Sequence, residues 1–375
     1  MKNERIVFWQ DIPSPHQAPW IRALAGLVPD ADIVSVFQQS GLPQDRIALG
    51  WQPPHYGNTR ILISPDKSEV DQLIQRNDFN TTHIFSSMLE DSEIYERFQL
   101  ALSSKARVGV LSEGRDWRGW KGFLRQAYKA RREHRFRESV DFVLAMGQVG
   151  IQWFERCGFD KDKLFPFCYV VEAPDSQVMG CDDSKSTIQM ISVGQLIKRK
   201  RFDLLLKALT KVPAQGWELK IVGDGELRYQ LEKMAADLGL SDRVVFTGVL
   251  NNVQVRTVLA QTDVFFLNSH WDGWGAVVNE ALMGGVPVVC SDFCGAADLV
   301  RADFNGEIFE SGNVDSLATI INKFIERGPL PLAKRDQIRT WSKGIEGPTV
   351  ARYFLDILKF IDGTDNKRPV PPWNV

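Results

Sequence analysis

Short apolar runs alternate with stretches of helical periodicity from one end of the chain to the other. Ile6–Trp9 reads as a first strand and Pro19–Leu27 as the helix after it. His83–Phe85, Arg107–Leu111 and Phe142–Met146 are further strand candidates, followed by an aromatic and β-branched stretch at Leu164–Val171. A polar segment, Pro174 to Ser186, then holds Gly180, Cys181, Asp182 and Asp183 and is expected to link two domains. The second half is more regular. Strands are expected at Thr187–Val193, Glu218–Val222, Val244–Thr247, Val264–Leu267 and Pro287–Cys290. Helices are expected over Phe202–Leu209, Leu227–Leu238, Asn252–Leu259 and Val277–Met283, with a last one near Val350–Ile361. Short strands alternating with helices predict parallel sheets wound on both sides. No internal repeat and no low-complexity tract interrupts the pattern.

Composition narrows this picture. At 375 residues the chain is long enough for two cores. A net charge of -2 argues against a general nucleic-acid binder. The five cysteines form no Cys-x-x-Cys pair, so a disulfide framework or structural zinc is not expected, and free thiols fit a reducing cytoplasm. The first residues lead into only a short apolar run, which predicts no signal peptide. No run approaches the roughly 18 apolar residues of a membrane span, so any membrane contact is expected at the surface.

Chemistry concentrates between Asp263 and Val289. A strand ends at Leu267 and leads into Asn268-Ser269-His270-Trp271-Asp272-Gly273-Trp274-Gly275-Ala276, then a helix through Glu280. The glycines permit close approach of a ligand. The helix start offers backbone N–H groups to a phosphate. Ligands of open α/β sheets bind at the carboxyl ends of strands, where this loop lies. Asp272 and Glu280 flank it, and a carboxylate can accept both hydroxyls of a sugar diol. Each feature alone fits a plain turn with solvated carboxylates; the combination is what points to a site.

The segment resembles the E-x7-E signature of retaining glycosyltransferases of the GT-B fold, family 4 (the group 1 glycosyltransferases), with Asp272 in place of the first Glu. The resemblance runs from about Ile191 to Ile325. Val193-Gly194-Gln195-Leu196, Lys200 and Phe202-Asp203-Leu204-Leu205 are similar to the family's G-R-L…K-G-x-D-x-L-L stretch. Ile221-Val222-Gly223-Asp224-Gly225, Val245-Phe246-Thr247-Gly248, Gly295 to Val300 and Asn305-Gly306 are similar to further family motifs.

The resemblance implies two Rossmann-like domains with parallel sheets facing across a cleft. Residues 1–173 would form the acceptor-side domain, completed by the C-terminal helix 350–375, and residues 187–349 the nucleotide-sugar domain. Glu280 would hold the ribose hydroxyls and Asp272 the transferred sugar. Gly273, Trp274, Gly275, Ala276 and Val277 would present backbone groups to sugar and diphosphate. Lys200 would neutralise the diphosphate, with Gly194 and Gln195 nearby, and the base would lie against the loops after Gly223 and Gly248. Gln195 stands where the family usually has Arg; it keeps a donor but loses the charge and the fork. Lys198, Arg199 and Arg201 either compensate or form a solvated loop.

The N-terminal half agrees with the family only in outline. A catalytic His is common there after a mid-domain strand; here Ser112-Glu113-Gly114 occupies that place. Glu113 either orients the sugar or is a loop residue. His16, in the loop after the first strand, is a second candidate, whereas His83 reads as a core histidine. Asp160-Lys161-Asp162 has the D-x-D form but falls in the turn before Leu164 and reads as structural, so neither metal nor other cofactor is expected.

Residues 115–137 stand apart. They carry nine cationic side chains against Asp116 and Glu133, a formal excess of seven, interleaved with Trp117, Trp120, Phe123 and Leu124. Such a helix suits an anionic membrane surface or a lipid-linked diphosphate, or it is a solvated helix whose aromatics pack inward. Nucleic acid is not expected there.

The expected partners are therefore a nucleotide-sugar and a glycan or lipid-linked acceptor, in a cytoplasmic hexosyltransferase, peripheral at the inner membrane face, serving polysaccharide or lipopolysaccharide synthesis. An inactive binding or scaffold subunit, or another GT-B enzyme such as a sugar-nucleotide epimerase, are the alternatives.

Overall fold

The computed structural model describes residues 4–44, 47, 51–74, 80–86, 88, 93–173 and 187–375. The segment expected to link two domains, 174–186, lies outside them, as does Cys181. The chain divides into two compact units. One comprises residues 1–47, 51–172 and 344–375, the other 48–50 and 173–343.

The first unit is built on a seven-stranded parallel sheet. Its strands are β1 (Arg5–Gln10), β2 (Asp32–Phe37), β3 (Arg60–Ile63), β4 (Thr81–Phe85), β5 (Arg107–Ser112), β6 (Phe142–Met146) and β7 (Leu164–Phe167), in the order β3-β2-β1-β4-β5-β6-β7. Strand β1 reads as a continuous apolar run because both of its faces are covered. Helices α1 (Ala18–Leu27), α2 (Lys67–Ile74), α3 (Glu93–Leu102), α4 (Gly119–Glu133) and α5 (Gly147–Arg156) connect the strands. Val7, Trp9, Val34, Val36, Phe85, Phe98, Val108 and Val110 lie in one buried core.

The second unit has a six-stranded parallel sheet: β8 (Ile188–Val193), β9 (Trp217–Val222), β10 (Val244–Gly248), β11 (Val264–Leu267), β12 (Val288–Ser291) and β13 (Gly306–Phe309), ordered β10-β9-β8-β11-β12-β13. Helices α6 (Phe202–Leu209), α7 (Arg228–Asp237), α8 (Asn252–Ala260), α9 (Val277–Met283), α10 (Val314–Arg327) and α11 (Leu332–Ser342) surround it. Asn251 and Gln254 cap α8 reciprocally, and Asn313 caps α10 through the N–H groups of Asp315 and Ser316. In both sheets the order reverses beside the first strand, which makes the strand ends there the natural ligand crevice of each unit.

The last helix, α12 (Gly347–Ile361), packs on α1 in the first unit, where Trp20 meets Phe354 edge-on at 5.3 Å. Gly347 lies close enough to the backbone of Pro19 that a Cβ there would sit 2.6 Å from its carbonyl oxygen.

Apolar-run reading passes over β2, β3 and β13. β2 holds a buried Ser35 in mid-run, and β3 and β13 are four-residue edge strands with exposed positions. Of the stretch Leu164–Val171 only the first four residues form a strand; it is the sheet's outer one, where Pro166 costs no ladder bond.

Candidate functional site

Residues Asn268–Ala276 leave the carboxyl end of β11 and enter α9. The buried Asn268 draws a second loop onto this one: its Nδ2 donates to Lys200 O at 2.5 Å, while its Oδ1 accepts from Ser192 Oγ at 3.0 Å. The N–H of His270 adds a bond to Arg199 O at 2.8 Å. Two cations consequently converge on one carboxylate. Lys200 Nζ lies 2.5 Å from Asp272 Oδ2, and Arg199 Nη1 lies 3.3 Å from Asp272 Oδ1 while also donating to Trp271 O at 3.0 Å. Ser269 Oγ donates to the same Asp272 Oδ2 at 3.3 Å. Burial pushes the Asp272 carboxyl up, but the charges of Lys200 and Arg199 outweigh it and hold it below the usual range. Of the neighbouring residues, Gln195 and Lys198 are exposed, and Arg201 pairs with Asp203 at 2.9 Å. Arg199 is thus the neighbouring cation that joins Lys200 at the carboxylate, rather than a solvated loop residue.

Glycines set the floor of this crevice. Gly223 N–H donates to Gly248 O at 2.8 Å and Gly194 N–H to Val222 O at 2.9 Å, stitching together the carboxyl ends of β8, β9 and β10. Gly223 has φ +134°, and a Cβ there would sit 2.0 Å from Gly194 O, so no other residue fits. Gly275 has φ +100°, and its missing side chain leaves room for Leu267, whose Cδ2 would lie 2.5 Å from a Cβ. Trp274 turns its side chain into the core, where Nε1 donates to Asn279 Oδ1 at 2.8 Å; only its backbone is available to a ligand.

Glu280 occupies the first turn of α9, since that helix begins only at Val277. Arg256 from α8 approaches Glu280 Oε1 to 3.8 Å, too far for a hydrogen bond. Burial dominates, and despite Arg256 the carboxyl is pushed up to about 7. At neutral pH Glu280 is therefore divided between acid and carboxylate, whereas Asp272 is ionised.

In the first unit, His16, Glu113 and Tyr169 meet. They follow β1, β5 and β7 respectively, all at strand carboxyl ends. Tyr169 O–H donates to Glu113 Oε1 at 2.8 Å, and the His16 ring stacks on the Tyr169 ring at 5.4 Å with Trp51 edge-on at 5.1 Å. Val170 N–H donates to His16 O at 3.0 Å. Ser14, two residues earlier, is held by the buried Tyr56, whose hydroxyl accepts from Ser14 N–H at 3.0 Å. His83 sits fully buried beside Trp9, whose Nε1 donates to its Nδ1 at 3.2 Å; it belongs to the core. Asp160 accepts from Asp162 N–H and caps a short 3₁₀ turn, a structural role.

Sequence reasoning did not anticipate Arg256, Tyr169, Trp51 or Ser269. Each acquires its role through a partner on another element or across a loop, and no local spacing announces it.

Comparison with known proteins bears on the second unit. Residues 183–341 match the family described as glycosyl transferases group 1. A lipopolysaccharide core biosynthesis glycosyltransferase, LpsE of Rhizobium meliloti, is 35% identical over 136 residues, 36% of this chain and 39% of that protein. The lipopolysaccharide 1,6-galactosyltransferase of Escherichia coli is 29% identical over 163 residues, 41% of this chain and 44% of the relative. The matched stretch thus spans less than half the length of either. Over nearly the whole chain the fold is that of GT-B glycosyltransferases: Anabaena HepE, solved in complex with UDP, superposes with a TM-score of 0.68 at 17% identity, covering 95% of this chain and 99% of that one.

Proposed function

We propose that the protein is a retaining glycosyltransferase that moves a hexose from a nucleotide diphosphate-sugar to a glycan or lipid-linked acceptor in lipopolysaccharide or polysaccharide synthesis. The observation that carries this reading is the convergence of Lys200 and Arg199 on the Asp272 loop, within the segment that matches the group 1 glycosyl transferases. Two cations at the carboxyl end of the sheet stabilise the charge that a departing diphosphate gains. Asp272 pairs with both cations. When a diphosphate takes them over, Asp272 turns to a sugar hydroxyl, and its shorter reach compared with Glu selects which one. Arg199 then supplies the charge missing at Gln195. Glu280 as carboxylate accepts the ribose hydroxyls. The bond from the anomeric carbon to phosphate breaks, the acceptor oxygen bonds to the same face, and the acceptor proton passes to the departing phosphate oxygen. No side-chain base is required for that step.

UDP is the first candidate nucleotide, because a chain of this fold was solved with it. A thermal-shift panel of UDP-, GDP-, ADP- and dTDP-sugars tests the reading. A ligand at about 100 times its Kd adds about 2.7 kcal/mol to the native state, so one base should raise the melting temperature by several degrees. If none of the four moves it, the reading fails. Retention is checked by the anomeric configuration of the first-formed product, read by NMR.

We assign acceptor recognition to the His16–Tyr169–Glu113 cluster. Tyr169→Phe removes only the hydroxyl that steadies Glu113. Transfer should fall about tenfold, in line with loss of one hydrogen bond to a charged group, through the acceptor KM and with the donor KM unchanged. An equal rise in both KM values would show instead a general loosening.

A further inference from the structure

Helix α4 carries an arc of side chains that nothing in the transferase reading uses. It is fifteen residues long, and its inward positions are few: Gly122 lies against the backbone of Trp117, Gln126 donates to Arg156 O at 3.0 Å, and Glu133 is buried with Lys129 3.6 Å away. Trp117, ahead of the helix, packs against the core, as does Ala130. The outward side is the unusual one. Trp120 is 70% exposed, Phe123 63%, Leu124 55% and Tyr128 53%. At about 100° per residue these four share one arc with Ala127. Arg131 emerges inside that arc, and Lys121, Arg125 and Arg132 follow one border of it. Lys121 lies over the Trp120 ring at 5.5 Å and Arg132 over the Tyr128 ring at 4.9 Å, so the cations accompany the aromatics rather than pairing off away from them. The only acidic residue of the helix, Glu133, faces inward.

We propose that this face docks on an anionic lipid bilayer, the helix lying in the interface with Trp120, Phe123 and Leu124 inserted and Lys121, Arg125 and Arg131 at headgroup level. Charge complementarity selects this occupant. The exposed face holds cations and apolar groups and no anion, which is the composition of an interfacial helix. Tryptophan and tyrosine favour the boundary where one end of the ring is apolar and the other wet. A nucleic acid would use the cations but leave Leu124 and Phe123 in water. Trp120, Phe123 and Leu124 are exposed, which keeps the test clean, whereas Arg125 also donates to Asp116 O at 2.8 Å, so the charge is changed at other positions.

Sedimentation of the full chain with vesicles of mixed phosphatidylglycerol and phosphatidylcholine, against vesicles of phosphatidylcholine alone, tests the proposal. Binding is expected to the anionic vesicles, and to weaken at least about tenfold as several screened cations lose their share on going to high salt. The triple change Trp120→Ser, Phe123→Ser, Leu124→Ser should abolish it, and Lys121→Glu with Arg131→Glu should reduce it about tenfold or more. Both variants should melt at the temperature of the parent chain and bind UDP as it does. This separates the surface from the donor site, so that failure of the parent to bind any of the four nucleotide-sugars would overturn the transferase reading and leave this one standing. Equal binding to both kinds of vesicle, no binding to either, an unaffected triple variant, or binding to single-stranded RNA in place of anionic vesicles would each overturn it.

Discussion

Glu280→Gln should abolish nucleotide-sugar binding and at the same time stabilise the protein at alkaline pH. The native carboxyl titrates at about 7, against an ordinary value of 4.5, because burial outweighs the charge of Arg256. A raised acid is one whose ionised form the fold disfavours. Below about pH 4.5 the group is protonated in both folded and unfolded chains and costs nothing; as the pH rises to about 7 the unfolded chain ionises first, and the cost grows; above that it is constant. Neutral glutamine escapes it. The variant should therefore match the parent near pH 4.5 and exceed it by on the order of 2–4 kcal/mol at pH 8, several degrees in melting temperature. Donor binding should follow the opposite course. Only the carboxylate accepts both ribose hydroxyls, so the parent's affinity should rise through pH 7 and level off, and the thermal shift with a nucleotide-sugar should vanish in the variant. A stability difference that does not change with pH would remove the basis of this assignment. The combination makes Glu280 a group kept for its ligand at the expense of the fold.

Arg335→Met should cost about 3–5 kcal/mol of stability, more than any substitution on the loop surface. The Arg335 side chain, on α11, is fully buried. Its Nη2 donates to Asp263 Oδ1 at 2.7 Å, its Nη1 to Thr262 O at 2.9 Å and its Nε to Leu330 O at 3.4 Å. Asp263 Oδ2 in turn accepts the backbone N–H of Gln189 at 2.8 Å, at the start of β8. The pair thus anchors the beginnings of β8 and β11, the two central strands whose far ends deliver Gly194 and Asp272. Removing the guanidinium leaves a buried carboxylate without its cation, and the cost is mainly that orphaned charge. Adding Asp263→Asn should recover part of the loss, because it removes the charge while keeping an acceptor. Denaturant melts of both variants check this; a double change worse than the single one would show that the pair is not the source. Donor binding by the folded fraction should be unchanged, since neither residue touches the crevice.

Much of the architecture was legible along the chain. Alternating apolar runs and helical periods located nine of the thirteen strands found among the described residues and marked β7 only as an aromatic and β-branched stretch, because a parallel strand covered on both faces must be apolar at every position. The strands that escaped notice are β3 and β13 at the edges, where half of the positions meet water, and β2, whose run is broken by Ser35. The Asp272–Glu280 segment was legible for a different reason: tight turns and helix starts need particular residues at fixed local spacings.

Local pattern also announced α4 as basic and aromatic, but not which way it faced. Cation and aromatic content is the same whether Trp120 and Phe123 point inward or out; only the packing of Gly122, Gln126 and Glu133 beneath the helix decides it.

Sequence by itself determined the parallel α/β class, the glycine-lined loop and the identities of its carboxylates, all of which follow from interactions within a few residues. Tertiary structure alone decided their chemical states. Lys200 meets Asp272 across 72 residues and, with Arg199, keeps it ionised, while Glu280, eight residues further on, is buried with one cation at 3.8 Å that does not offset its burial, so its carboxyl is held near 7. Desolvation and charge–charge attraction depend on distance in space and on the solvent excluded around a group, and neither quantity is written in the order of the residues.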